Sequence, residues 1–353
     1  MRRDVARKGG IYSVAKYLDE RTIENLIKLK KPIVASHITG IRSSTGAEAE
    51  GWFIACPLTP RQLITLDDAF VVKRLVQCGE LAAAQGAKII GLGAFTSVAG
   101  DGGVTVAKHL DIAVTTGNSY TVGTAVEAAV DGAQKMGIDL CKSKVAIVGA
   151  TGSIGRTCAQ LLAPDAGEIA LVGRDMAKLE RLAGEIDTDN VRVYDSIREG
   201  LRDALVVVTV TSAVDAVIQP EDLASGAVVC DVARPRDVSI RVARERDDVL
   251  VIEGGVVSVP GPDVDFRFNF GFEPKTAYAC MSETMTLALE GRYEDYTLGK
   301  DVSIGQVREI TKLARKHGFK LAGYRSFEKP VTPETIDRAR RSAKARRMAV
   351  VAA

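Results

Sequence analysis

Residues 144–174, KVAIVGATGSIGRTCAQLLAPDAGEIALVGR, decide the fold. Lys144 to Val148 is a short apolar run of the kind that forms a fully buried strand. Gly149, Gly152 and Gly155 then open a helical segment. The first suits a tight turn, the second lets backbone approach a pyrophosphate, and the third lets the helix pack on the strand. The unpaired N–H groups at such a helix start, with the dipole behind them, favour an anion. Glu168 to Val172 supplies the second strand. Strand, glycine turn, helix and strand together predict a Rossmann-like dinucleotide-binding domain, with Gly149, Thr151, Gly152, Ser153, Ile154 and Gly155 around the phosphates.

The second strand ends in Gly173-Arg174-Asp175. A carboxylate at this distance usually holds the ribose 2′-hydroxyl of NAD. Here an arginine comes first, with Lys178 close behind, so the expected cofactor is NADPH held by Arg174. Asp175 keeps NAD as an alternative.

The 353 residues suffice for two well-buried cores. Hydrophobic residues make up 46% and charged residues 26%, an ordinary balance for a water-soluble chain. No run of 18 apolar residues occurs, and the start, MRRDVARKGG, has no apolar signal core. No transmembrane segment and a cytoplasmic location are expected. A net charge of +2 says little about partners, and no nucleic acid is expected among them. The basic tail RARRSAKARR (338–347) either touches an acidic carrier protein, nucleic acid or membrane surface or, as is commoner, forms a solvated terminal helix. The six cysteines are scattered without a C-x-x-C pair, and the three histidines have no ligand spacing, so neither a disulfide framework nor a metal site is expected.

Along the chain, the first thirty residues read as a helical lead-in, followed by strands at 32–38 and 52–56. A helix over 67–85, strands at 88–92 and 112–115, and an Ala/Val-rich helix over 121–136 come next. After the glycine turn, strands are expected at 205–210, 227–230 and 249–252, then helices over 275–290 and 305–317. Alternating strands and helices imply a parallel, doubly wound α/β sheet. The expected domains are an N-terminal α/β substrate domain (1–125), an NADP-binding domain (126–265), and C-terminal helices packing back (266–353). Ligands of such sheets lie beyond the carboxyl ends of the strands. There, Thr211 and Ser212 either line the nicotinamide or merely end their strand. Asp231 either meets a substrate or caps its turn.

Two further segments carry chemistry. Thr115-Thr-Gly-Asn-Ser-Tyr-Thr121 holds more hydrogen-bonding side chains than a helix cap needs, which points to contact with a ligand. Cys280 lies in Ala279-Cys-Met-Ser-Glu-Thr-Met285, with Glu283 three residues on and on the same helical face. Read by itself, it is either a small core residue or a nucleophile. Counted from a helix beginning near Pro274, it falls in the second turn.

In order and spacing, several motifs resemble one family. They are Gly91-Leu-Gly-Ala-Phe-Thr-Ser-Val98, Thr116-Gly-Asn-Ser-Tyr-Thr121, the glycine turn 145–155, Glu253-Gly-Gly-Val-Val257, 279–285 and Lys316-His-Gly-Phe319. That family is the long-chain acyl-(acyl-carrier-protein) reductases of cyanobacterial alkane biosynthesis, and the likeness runs from about Lys31 to Tyr324. It implies NADPH-dependent reduction of an acyl-carrier-protein or coenzyme A thioester to a fatty aldehyde, through an acyl-cysteine at Cys280. Asn118 and Ser119 are then candidate oxyanion donors, and an aldehyde-consuming enzyme is an expected partner. Tyr120 departs from the histidine usual there, so no general acid is assigned. Cys230-Asp-Val-Ala-Arg-Pro-Arg-Asp-Val238 resembles glutamyl-tRNA reductases instead. Two other readings stand beside this one: a shikimate- or amino-acid-type NADP-dependent dehydrogenase, and a non-catalytic NADPH-binding sensor.

Overall fold

The computed structural model describes residues 19–269 and 271–352. Of the expected lead-in, residues 1–18 lie outside it, and the described part forms helix α1 (Glu20–Lys28), capped by the Asp19 carboxylate on the Thr22 N–H. An antiparallel hairpin follows, β1 (Ile33–Arg42) and β2 (Glu48–Ala55). Helix α2 (Asp68–Ala84) starts where Asp67 accepts from the Phe70 N–H. Strands β3 (Ile89–Gly91) and β4 (Ala113–Thr115) pair in parallel. Each ends in a loop that the sequence marks as chemical.

Helix α3 (Asn118–Met136) runs 19 residues and stops at Gly137, whose φ of +72° is available to glycine at little cost. It passes through the expected boundary at 125/126. Its small residues explain the close packing: Ala125, Ala129 and Ala133 are fully buried, and a Cβ on Gly132 would come within 2.9 Å of Val228. This helix therefore belongs equally to the sheet on one side and to the C-terminal helices on the other.

The main sheet consists of β5 (Lys144–Val148), β6 (Glu168–Val172), β7 (Val191–Tyr194), β8 (Ala204–Thr209), β9 (Val228–Asp231) and β10 (Leu250–Glu253). All six are parallel, in the order β10-β9-β8-β5-β6-β7. The chain starts in the middle at β5, runs to one edge, then returns to build the other half. This is the doubly wound order, with its reversal between β5 and β8. Helices cover both faces, so the central strands are apolar at consecutive positions, as Val145, Ala146 and Ile147 show with no exposed surface. The fold is thus the Rossmann-like α/β arrangement that the glycine turn implied.

Beyond β10, the chain makes β11 (Val256–Ser258), β12 (Thr276–Tyr278), helix α4 (Ala279–Leu289), helix α5 (Ile304–His317) and β13 (Lys320–Leu321). A short hairpin, β14 (Arg325–Ser326) and β15 (Lys329–Pro330), precedes the terminal helix α6 (Pro333–Ala352). Here the sequence reading needs a correction. The helix expected from 275 starts only at Ala279, because Thr276, Ala277 and Tyr278 pair antiparallel with Ser258, Val257 and Val256. Lys275, at φ +61°, makes the break before them. Tertiary pairing overrides local helical preference, and it moves Cys280 from the second turn to the first.

The tail is helical, as expected. It docks on the body by burying Ala339 and Ala343, while Arg346 pairs with Asp247 and Arg347 donates to the Ser225 carbonyl. Among the described residues, no helix is long and apolar enough to cross a membrane. No group of three or more metal-capable side chains occurs among them, and all six cysteines are free thiols.

Candidate active site

Three loops meet at the start of α4. Cys280 is the second residue of that helix, with Tyr278 as its N-cap. The turn after β4 lies against it so closely that a Cβ on Gly117 would stand 2.3 Å from the Cys280 Cα, and Gly117 has a φ of +74°. From the other side comes the loop after β3, where a Cβ on Gly93 would sit 3.4 Å from the Cys280 sulfur. The next residue, Ala94, has a φ of +49° and turns its N–H onto that sulfur, as does Met281. The segments 91–98, 115–121 and 279–285, far apart in sequence, therefore form one site.

Burial dominates the acidity of Cys280 and pushes its thiol up to about 11, with the charge of Glu283 acting in the same direction. The backbone N–H groups of Ala94, Met281 and Cys280 itself oppose that shift. At neutral pH the resting group is a thiol.

Glu283 is fully buried, one turn along α4. Thr115 (2.5 Å) and Thr297 (2.8 Å) donate hydroxyls to one carboxylate oxygen. The Ser119 hydroxyl (2.6 Å) and the Tyr120 N–H (2.8 Å) donate to the other. A buried carboxylate without partners is costly, and four donors meet that cost here. The expected donor Ser119 is thus occupied in holding Glu283 rather than pointed at the sulfur. Tyr120 is also buried, its ring packed in the apolar cluster beneath the site, which raises its phenol far above the ordinary range. Asn118 does face the nucleotide side, with its Nδ2 3.5 Å from the Ser153 hydroxyl. The Thr116 hydroxyl is buried without a hydrogen-bond partner.

The glycine turn fits a dinucleotide. Gly149 has a φ of +84°, and a Cβ on Gly155 would fall 2.3 Å from the Gly149 carbonyl oxygen, so neither position accepts another residue easily. Thr151 and Gly152 are exposed at the mouth of the turn, and Ser153 opens the helix 153–162. Ile154 packs into the core, a structural role beside its place in the turn. Asp175 caps the helix 176–185 by accepting from the Lys178 N–H, and its carboxylate also pairs with the Lys178 ammonium at 3.0 Å. Arg174 is exposed and has no hydrogen bond or ion pair among the described residues.

The loops after β8 and β9 are braced internally. Thr211 donates its hydroxyl to the buried Asp237 at 2.5 Å, and Thr209 donates to the same carboxylate. Asp231, raised by burial to about 6, accepts the N–H groups of Ala233 and Val238 and so shapes its own turn. Sequence reasoning named Thr211 and Asp231 but missed Asp237 and Thr297, because nothing local marks a residue whose partner lies on another strand.

Comparison with known proteins supports the nucleotide-binding part. Residues 131–253 match the family profile of shikimate/quinate 5-dehydrogenases, which stops short of Cys280. The chain is 31% identical over 317 residues to the aminotransferase PigE of a Serratia species, covering 85% of this chain and 35% of that protein. It is 26% identical over 310 residues to a long-chain acyl-[acyl-carrier-protein] reductase of Synechococcus elongatus, covering 82% of this chain and 87% of that one. A glutamyl-tRNA reductase of Chlorobium chlorochromatii is 30% identical over 126 residues, a third of this chain. The chain thus spans only about a third of PigE, but most of the Synechococcus reductase. Residues 131–253 form an NAD(P)-binding domain of the oxidoreductase type.

Proposed function

We propose that this protein reduces a fatty acyl thioester to the aldehyde with NADPH, through an acyl-cysteine on Cys280. The observation that carries this reading is the placement of that thiol. Cys280 stands in the first turn of α4, and the Ala279 N–H is bonded to the Gly255 carbonyl just beyond the carboxyl end of β10. The neighbouring Asn118 touches the glycine-turn helix at Ser153. A nucleophile and a dinucleotide site on the same edge of the sheet suit a covalent reductase.

The chemistry divides in two. The Cys280 sulfur loses its proton, attacks the thioester carbonyl carbon and expels the carrier thiol, which takes up a proton. When bound, the reduced nicotinamide supplies a hydride to that carbon. In this reading the Ala94 N–H and the Asn118 amide are the candidate donors to the oxygen as negative charge develops on it. The carbon–sulfur bond then breaks, releasing aldehyde and returning the cysteine.

The likeness to the Synechococcus reductase covers both the nucleotide domain and the Cys280 helix, whereas the shikimate-type match covers the nucleotide domain alone. NADPH over NADH is favoured by Arg174, unpaired beside an Asp175 already used as a cap.

The test is an intact-mass measurement with palmitoyl-coenzyme A and no NADPH, beside Cys280→Ala. The expected result is a gain of one acyl group in the parent protein only, discharged as aldehyde when NADPH is added. No adduct from coenzyme A or carrier-protein thioesters would remove Cys280 from the reaction and leave the dehydrogenase reading ahead.

A further inference from the structure

Three arginines from two separate segments converge on Glu253, at the carboxyl end of β10. Arg234 Nη2 lies 3.7 Å from its carboxylate, Arg236 Nη1 3.6 Å and Arg325 Nε 3.8 Å. These distances exceed hydrogen-bond length. Glu253 is instead bonded by the Glu328 N–H at 2.8 Å. Arg234 Nη2 and Arg325 Nε are buried donors without any hydrogen-bond partner. The exposed Glu328 pairs with Arg236 at 3.1 Å, and the buried Asp231 carboxylate also acts on Arg234. Three guanidinium groups thus gather around the buried Glu253 and Asp231 and the exposed Glu328, and none of them hydrogen-bonds the Glu253 carboxylate. Two buried N–H donors left idle carry a cost that an added acceptor would relieve.

We infer that Arg234, Arg236 and Arg325 form an anion subsite for a phosphate carried by the leaving group of the thioester substrate. This rests on the thioester reading above. Planar guanidinium forks suit phosphate oxygens in particular. The location fits the same ligand. Arg234 lies over the ring of Tyr278, 5.4 Å from its centroid, and Tyr278 is two residues before Cys280. The cofactor's own phosphates belong to the glycine turn after β5, three places across the sheet from β10 and on the order of 14 Å away. Coenzyme A and carrier-protein thioesters both end in a phosphopantetheine arm. An anchor beyond Tyr278 lets that flexible arm reach the thiol.

Calorimetric titration of the full chain, in the presence of NADP+, tests this without turnover, using coenzyme A, 4′-phosphopantetheine and pantetheine. Coenzyme A and 4′-phosphopantetheine should bind at least about tenfold more tightly than pantetheine, and Arg236→Gln should erase most of that difference. Arg236→Lys keeps the charge but not the fork and should weaken binding by a smaller factor, so the test survives if the glutamine variant does not fold. Tight binding of coenzyme A alone would keep the subsite and assign its anion to the nucleotide end. The subsite is overturned if pantetheine binds as well as the phosphorylated ligands, if none binds, or if Arg236→Gln changes nothing. As a kinetic readout, the ratio of kcat/KM for palmitoyl-coenzyme A to that for the palmitoyl thioester of N-acetylcysteamine should fall about tenfold in Arg236→Gln. General structural damage lowers both values together and leaves the ratio alone. A failure here leaves the acyl-cysteine to its own mass measurement, and the converse also holds.

Discussion

The Ser119 hydroxyl meets the Glu283 carboxylate at 2.6 Å, and this bond ties the turn that touches Cys280 to the helix that carries it. The same carboxylate takes three more donors, from Thr115, Tyr120 and Thr297, so β4, α3 and the chain beyond α4 are fastened at one buried point. Replacing Glu283 by glutamine removes the charge and leaves donors facing an amide nitrogen. We predict a loss of roughly 2–3 kcal/mol in urea unfolding. Unchanged stability would mean the carboxylate is not the fastening point. The Cys280 thiol should also become more acidic, since the Glu283 charge raises its pKa.

Alkylation of Cys280 by iodoacetamide, followed by peptide mass spectrometry, should be slow at pH 7. It should rise about tenfold per pH unit and level off only near 11, because burial holds the thiol protonated to about that value. The sign follows from the charge type: burial disfavours the thiolate, so reactivity is gained as pH rises. A plateau below pH 8 would contradict this account.

Gly117→Ala should destabilise the fold by about 2–5 kcal/mol. A side chain at a φ of +74° costs roughly 1–2 kcal/mol, and the new Cβ would fall 2.3 Å from the Cys280 backbone, adding an overpacking cost of about 1–3 kcal/mol. Thermal unfolding measures the loss. Gly184→Ala is a contrasting control, because nothing lies within 4 Å of the Cβ that it would add, on the helix 176–185.

Arg174→Ala should raise the KM for NADPH about ten- to a hundredfold while changing that for NADH little, since a charged hydrogen bond to the 2′-phosphate contributes about 1.5–3 kcal/mol. Equal effects on the two cofactors would show that Arg174 does not read the 2′-position.

Much of this architecture is legible in sequence. The glycine turn announces its strand and helix because its three glycines meet three local steric demands. Strands β8, β9 and β10 read as apolar runs because both faces are covered. What stays hidden is set by distant partners. Thr276–Tyr278 looks helical until β11 pairs with it. Val191–Tyr194 passes unnoticed because it is a four-residue edge strand. At the site, Cys280 and the loops around it stand out by composition, but the occupation of Ser119 by Glu283 depends on a contact across 164 positions. The Arg234, Arg236 and Arg325 cluster is equally invisible, since its third member arrives on a hairpin beyond α5.

The protonated state of Cys280 also bears on how the protein withstands oxidants. Peroxides attack thiolates far faster than thiols, and the first product can advance to forms that no cellular thiol reverses. A sulfur held as a thiol by its burial should therefore react with peroxide more slowly than an ionised cysteine.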